Sequence, residues 1–202
     1  GPGSYSFGIV ARDSGVPSKT EPATVTIEVL EVNQPPTVTV PGNRAVGEGE
    51  RLVVDLVATD ADLPVQQLAY RLASGAPTGA FVNAVTGQFT WIPEETHGPG
   101  SYPITVVVTD TGSPAETASV TFTVDVTEVN RAPVLAAIAD QTVSRDQRLN
   151  VTVRATDADL PANQLSFSLG TGAPSGMVID PTTGVLTWTP AITQAAGTFD
   201  VT

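Results

Sequence analysis

Two aspartates separated by a single residue, Asp60 and Asp62, have the type and spacing best suited to chemistry, and the pair recurs as Asp157 and Asp159. A loop that turns both carboxylates the same way offers several hard oxygens, and calcium collects six to eight of these at about 2.3 to 2.6 Å. The same residues also serve as turn caps that accept backbone amides. Other chemistry is poorly supplied. His97 is the only histidine and Met177 the only methionine, and no acidic partner stands at catalytic spacing from His97, so loop and packing roles are expected for both. Serines and threonines fall on strand exteriors with no imidazole to activate them. A hydrolase built on paired carboxylates needs two acids converging in a cleft, whereas the acids here gather at the ends of repeating units. Trp91 and Trp188 end strands singly, which reads as core rather than as a sugar-stacking platform.

Composition narrows the partners. A net charge of -12, from 21 acidic against 9 basic side chains, opposes phosphate binding and favours cations over nucleic acid. There is no cysteine, so neither disulfides nor thiolate metal sites are available, and stability must come from the core or from hard cations. With 41% hydrophobic residues a packed core is expected. The apolar runs are strand-length, short of the roughly 20 residues of a membrane helix, so no insertion is expected in this segment. No signal peptide is read, and an opening of Gly1-Pro2-Gly3 without Met suggests a processed product or a window of something longer.

Internal repetition sets the architecture. Gly-Pro-Gly-Ser-Tyr at 1–5 returns at 98–102, Glu31-Val32-Asn33 returns at 128–130, Ala-Thr-Asp-Ala-Asp-Leu-Pro at 58–64 returns at 155–161, and Trp91 returns at Trp188. Every pair is displaced by 97 positions, as from 1 to 98, so one register spans the chain. Cutting after each Glu-Val-Asn leaves the closing strands of one unit (1–33), a complete unit (34–130), and a following unit without its last strands (131–202).

The period within a unit is two. Leu52, Val54, Leu56 and Ala58 alternate with Val53, Asp55, Val57 and Thr59, and Val120, Phe122, Val124 and Val126 alternate with Thr121, Thr123, Asp125 and Thr127. Half-buried antiparallel strands follow, punctuated by Gly and Pro clusters at 74–79, 98–100 and 111–114. The expected fold is all-β: tandem Ig-like sandwiches of about seven strands, arranged end to end.

The order Glu-Val-Asn at the join, Thr-Asp-Ala-Asp, a Thr-Gly turn, and Val-Thr-Asp-Thr-Gly before the last long strand resembles the cadherin repeat. Thr90-Trp91-Ile92-Pro93 and Gly98-Pro99-Gly100-Ser101-Tyr102 look most like the bacterial cadherin-like, dystroglycan-type repeats of large surface proteins. The resemblance implies calcium at each joint. Asn33 and Asp110 would join Asp60 and Asp62, and Asn130 would join Asp157 and Asp159. The counterpart of Asp110 in the last copy falls past residue 202, and Asp13 is its counterpart in the first. The family's acidic residue after the joint Asn is replaced here by Gln34 and Arg131. Glu48 and Glu95 match its two glutamates, but their own counterparts are Arg145 and Ile192. One ion per joint is therefore expected, with Glu31 and Glu128 as contributors to a second, and affinity of about 0.1 to 1 mM.

These features imply an extracellular or cell-surface array of bacterial origin, a calcium-stiffened stalk or adhesive spacer with neighbouring repeats as partners, and not an enzyme. A second reading is a filament subunit. Residues 1–33 and 131–202 together cover a whole sandwich, with eight positions duplicated, so identical subunits could join head to tail by strand donation. A third is an accessory module of a secreted enzyme.

Overall fold

Strands form where apolar and Thr-rich positions alternate. In the computed structural model, which describes residues 1–201, the chain divides into two compact units, Gly1–Thr127 and Glu128–Thr202.

The first unit opens with a hairpin of β1 (Gly3–Arg12) and β2 (Thr20–Val29), paired antiparallel from Gly3↔Val29 to Arg12↔Thr20. There follow β3 (Thr37–Val38), β4 (Arg44–Gly47), β5 (Leu52–Asp55), β6 (Ala58–Thr59), β7 (Ala69–Leu72), β8 (Phe81–Val82) and β9 (Gln88–Trp91). After a turn of 3-10 helix (Glu95–His97) come the long strands β10 (Gly100–Thr109) and β11 (Thr117–Thr127). One layer has the order β4-β11-β10-β7, with β4 parallel to β11 and the other pairs antiparallel. The other is β5-β9-β8, extended by the β3-β6 pair.

Seven chain runs build this sandwich, but two are interrupted, which yields nine strand segments over residues 37–127. Between β3 and β4 lie Pro41, which has no N–H for a ladder, and Gly42. That break lets the run leave β6 in one layer and join β11 in the other. Between β5 and β6 the ladder continues through Leu56 N–H to Gly87 O at 3.2 Å and Thr39 N–H to Val57 O at 2.9 Å.

The inward positions interlock between layers. Leu52, Val54, Leu56, Phe89 and Trp91 face Ile104, Val106, Val108, Phe122 and Val124, and Phe89 meets Phe122 edge-on with ring centroids 5.5 Å apart. Trp91 is 1% exposed and donates its indole N–H to Thr78 O at 3.0 Å, so it is a core residue with its polar handle satisfied.

The second unit contains β12 (Val134–Leu135), β13 (Leu149–Thr152), β14 (Ala155–Thr156), β15 (Val178–Ile179) and β16 (Val185–Trp188), in the orders β13-β16-β15 and β12-β14. These repeat β3, β5, β6, β8 and β9 strand for strand: Leu149↔Trp188 stands where Leu52↔Trp91 stands. The layer of β4, β7, β10 and β11 has no counterpart among residues 128–201, and segments 141–144 and 166–169, which match β4 and β7, are not strands.

Candidate metal centre

Strand ends place three acids of the first unit where the Asn33 and Gln66 side chains can link them. Asp60 and Asp62 follow β6, Asp110 follows β10, and Asn33 lies in the segment that joins β2 to β3. Asp110 Oδ1 accepts the amides of Gly112 at 3.0 Å and Glu116 at 2.9 Å, while Oδ2 accepts the Asn33 side-chain amide at 3.0 Å. Asn33 also donates to Pro114 O at 3.0 Å. Asp60 Oδ1 accepts the Asp62 amide at 2.9 Å, and Asp62 Oδ2 accepts the Gln34 amide at 2.8 Å. The side-chain amide of Gln66 reaches both Asp62 Oδ2, at 3.2 Å, and Asn33 Oδ1.

Turn capping thus occupies one oxygen of each aspartate of the pair. Asp60 Oδ2, Asp62 Oδ1 and Gln66 Oε1 remain buried without a hydrogen-bond partner, although Asp62 is only 3% exposed. Buried acceptors without donors cost free energy, more so when charged. The donors that do reach these carboxylates are neutral amides, so they leave the negative charge in place. Hard anionic oxygens with free lone pairs suit a hard cation, and the residue set fits calcium. Burial works against ionisation of Asp110, but the Glu116 and Gly112 amides and the Asn33 side chain outweigh it and hold its carboxyl below the ordinary 3.8.

Gly112 is fixed by close approach. A Cβ at this position would run into the Asn33 carboxamide, so only glycine lets the linker asparagine seat against the Asp110 turn.

The second unit repeats half of the arrangement. Asp159 Oδ2 accepts the Arg131 amide at 2.9 Å and the Asn163 side-chain amide at 3.1 Å, and Asp159 N–H donates to Asp157 Oδ1 at 3.0 Å. Asn163 also donates to Asn130 Oδ1 at 3.3 Å, and Asp159 Oδ1 is buried without a partner. The Asp13 turn repeats that of Asp110: its Oδ1 accepts Gly15 N–H at 3.1 Å and Lys19 N–H at 2.8 Å.

Glu48 and Glu95 stand apart from these aspartates. Glu48 and Glu95 bring carboxylate oxygens within 4.8 Å of each other near the end of β11, where Glu48 N–H donates to Thr127 O at 3.1 Å. That pole lies a full β10 length from Asp110, roughly 30 Å for ten extended residues. Glu31 is exposed past β2, and Glu128 is a half-buried residue at the start of the second unit. Gln66 and Asn163, absent from the expected ligand set, are amides 97 positions apart in the shared register.

No helix among the described residues is long and apolar enough to cross a membrane. A family model described as "Putative Ig domain" matches residues 35–127 and 132–202. Protocadherin Fat 4 of Mus musculus is 32% identical over 183 residues, covering 84% of this chain and 4% of that protein. Protocadherin-like wing polarity protein stan of Drosophila melanogaster is 30% identical over 215 residues, covering 91% of this chain and 6% of that protein. The chain therefore spans only a small fraction of these relatives. Among solved structures, human CDH23 EC21-23 aligns with TM-score 0.56 at 23% identity, over 85% of this chain and 59% of that one. Mouse Cadherin-23 EC22-24 gives 0.52 at 22%, over 93% and 64%. At these identities the structural likeness establishes the fold, a cadherin-like β-sandwich.

Proposed function

Because the chain belongs to the family described as "Putative Ig domain", matched over both its repeats, we propose that it forms part of an extracellular adhesive repeat array, a stalk or spacer of a surface protein whose joints hold calcium. In this reading residues 1–33 close one repeat, 34–130 are a whole repeat and 131–202 belong to the next. The reading assigns no reaction to the chain. Its protocadherin relatives support the cell-surface setting. The resemblance of Thr90-Trp91-Ile92-Pro93 and of residues 98–102 to phrases of bacterial surface-protein repeats supports the bacterial form of this reading.

The observation that carries the calcium reading is the pair of buried oxygens without donors, Asp60 Oδ2 and Asp62 Oδ1, with Asp62 linked through Gln66 and Asn33 to Asp110. Asn33 ties the inter-repeat segment to the Asp110 turn, while Gln66 holds Asn33 to Asp62. Bound there, calcium would neutralise the clustered carboxylates and remove bending freedom from that segment.

Thermal unfolding in millimolar calcium and in excess chelator tests this. At an affinity of about 0.1 to 1 mM, several millimolar calcium adds roughly 1 to 2 kcal/mol per site, a shift of several degrees. Asp62→Ala and Asp60→Ala should each remove the share of the shift that this site contributes. Equal melting temperatures with and without calcium in the unaltered chain would refute the calcium reading.

A further inference from the structure

In the complete repeat the inward residues of the β5-β9-β8 layer, Leu52, Val54, Phe89 and Trp91, are sealed in the core. Strand alternation turns the residues between them outward, and several of these are apolar: Val53, Phe81 and Ile92 are 44%, 59% and 52% exposed. They are contiguous. Val53 pairs with Thr90 and Phe81 pairs with Thr90, which makes one row across the three strands. To one side of that row, Arg51 and Ile92 line a hollow of about 260 Å³ together with Gly79, Thr90 and Trp91. To the other side, Asp55 pairs with Gln88 and accepts its side-chain amide at 3.0 Å. Arg51, Val53 and Asp55 are all exposed at alternate positions of one run, so the stripe has a basic end, an apolar middle and an acidic end.

The second unit repeats the strands without the stripe. In the shared register Asn150 replaces Val53, Val178 replaces Phe81, Thr189 replaces Ile92 and Thr152 replaces Asp55. Val178 still pairs with Thr187 as Phe81 pairs with Thr90, and Asn150 still pairs with Thr187 as Val53 pairs with Thr90. The sheet therefore forms without these apolar side chains, and their clustering on one exposed face marks a contact surface.

We propose that this face packs against the same face of a second copy of the chain, about a two-fold axis that runs across the strands along the Val53–Thr90–Phe81 row. A two-fold contact must be complementary to itself. About this axis Val53, Thr90 and Phe81 each meet their own counterpart, and Arg51 of either copy meets Asp55 of the other, so two opposite-charge pairs flank the apolar row. An axis along the strands would instead set Arg51 against Arg51 and Asp55 against Asp55. The hollow beside Thr90 and Ile92 gives the opposed Phe81 rings room to enter. Three strands are only about 15 Å wide, so each contact falls short of the roughly 800 Å² per copy of a standard interface and is weak by itself. The contact involves no joint residue and no ion, so it stands or falls separately from the calcium reading.

Sedimentation equilibrium of the full chain up to several hundred micromolar, in chelator and at physiological salt, tests the proposal. That salt screens the repulsion expected from a net charge of -12 beyond about 8 Å. The expected result is a monomer–dimer equilibrium that Phe81→Asp abolishes. Arg51→Asp and Asp55→Arg, each at an exposed position, should remain monomeric alone, because each places like charges opposite each other. An equimolar mixture of the two should associate at least as well as the unaltered chain, which an unfolded variant would not do. The chain has no cysteine, so a thiol-specific bifunctional reagent should join Val53→Cys copies into dimers but not Val65→Cys copies. A reagent is needed because packed sheets stand about 10 Å apart, beyond a disulfide's reach. A monomer at every concentration, association that survives Phe81→Asp, or a charge-reversed mixture that stays monomeric would overturn the proposal. So would a monomer that binds members of an oligosaccharide panel and loses them in Phe81→Asp, since the stripe would then serve a sugar.

Discussion

Asn33 and Asp110 lie 77 residues apart in sequence, yet the Asn33 side-chain amide meets Asp110 Oδ2 at 3.0 Å across the space left by the missing side chain of Gly112. The linker is thereby pinned to the far end of β10.

Gly112→Ala should expel Asn33, since the added methyl and the carboxamide claim the same volume. Gly112 is not in the left-handed region, so backbone strain does not add to the effect. Losing the bonds to Asp110 and Pro114 should cost about 1 to 3 kcal/mol in urea denaturation. The calcium-induced rise in melting temperature should shrink with it. An unchanged urea midpoint would mean that Asn33 contributes nothing to the joint.

Gln66→Leu removes the amide that reaches both Asn33 Oδ1 and Asp62 Oδ2. In chelator the cost should be about 1 to 3 kcal/mol, because a buried carboxylate loses a donor. In calcium the deficit should be smaller, since a cation would compensate the same carboxylate. Equal deficits in both conditions would argue that Asp62 faces no ion.

Acid should expose Asp110 and Asp180. The Thr183 and Thr182 amides hold the Asp180 carboxyl below its ordinary value, and the Asp110 carboxyl is lowered too. A depressed folded-state pKa means that the unfolded chain takes up its proton first as pH falls. The stabilisation is therefore fully present above the ordinary 3.8 and is lost as pH drops through it and below. Asp180→Asn should flatten that acid limb by removing at neutral pH the charge-assisted part of this stabilisation, while its Oδ1 goes on accepting the turn amides. The matching turn of the first unit already uses Asn83, whose Oδ1 accepts Val85 and Thr86 amides at 2.9 and 3.0 Å. Melting temperatures of the two chains from neutral pH down to about pH 2 would reveal the difference.

Position equivalence should fail where packing differs. Ile104→Ala should destabilise the first unit by about 2 to 5 kcal/mol, because its side chain is sealed between layers. Phe7→Ala, at the matching position of the hairpin, should stay within about 0.5 kcal/mol in dilute chain. A large loss from Phe7→Ala would show that the hairpin packs against the rest of the chain.

The repeat and its strands were legible because period-two alternation is local: Leu52, Val54 and Leu56 announce their face without reference to anything distant. The grouping of Asp60, Asp62, Asp110 and Asn33 came through resemblance. What sequence did not disclose was Gln66, since an amide four residues after Asp62 carries no charge and belongs to no motif. Its one signal was an amide at the matching position, Asn163. The pole occupied by Glu48 and Glu95 was equally hidden, because it depends on the direction of β4 and β11 rather than on spacing. The interruption of the first run was written in Pro41-Gly42, but its purpose, changing layers, appears only once β3 and β4 are seen with different partners.

The parallel pairing of β4 with β11 has a mechanical consequence. Tension along the backbone enters the complete repeat just before β3 and leaves it after Thr127, so it drags β4 and β11 in opposite directions along their shared length. The rungs from Arg44↔Val124 to Gly47↔Thr127 then bear load side by side and must fail together, instead of unzipping one at a time. This short ladder acts as a shear clamp, placing the resistance of the repeat to pulling at the seam between its first and last strands.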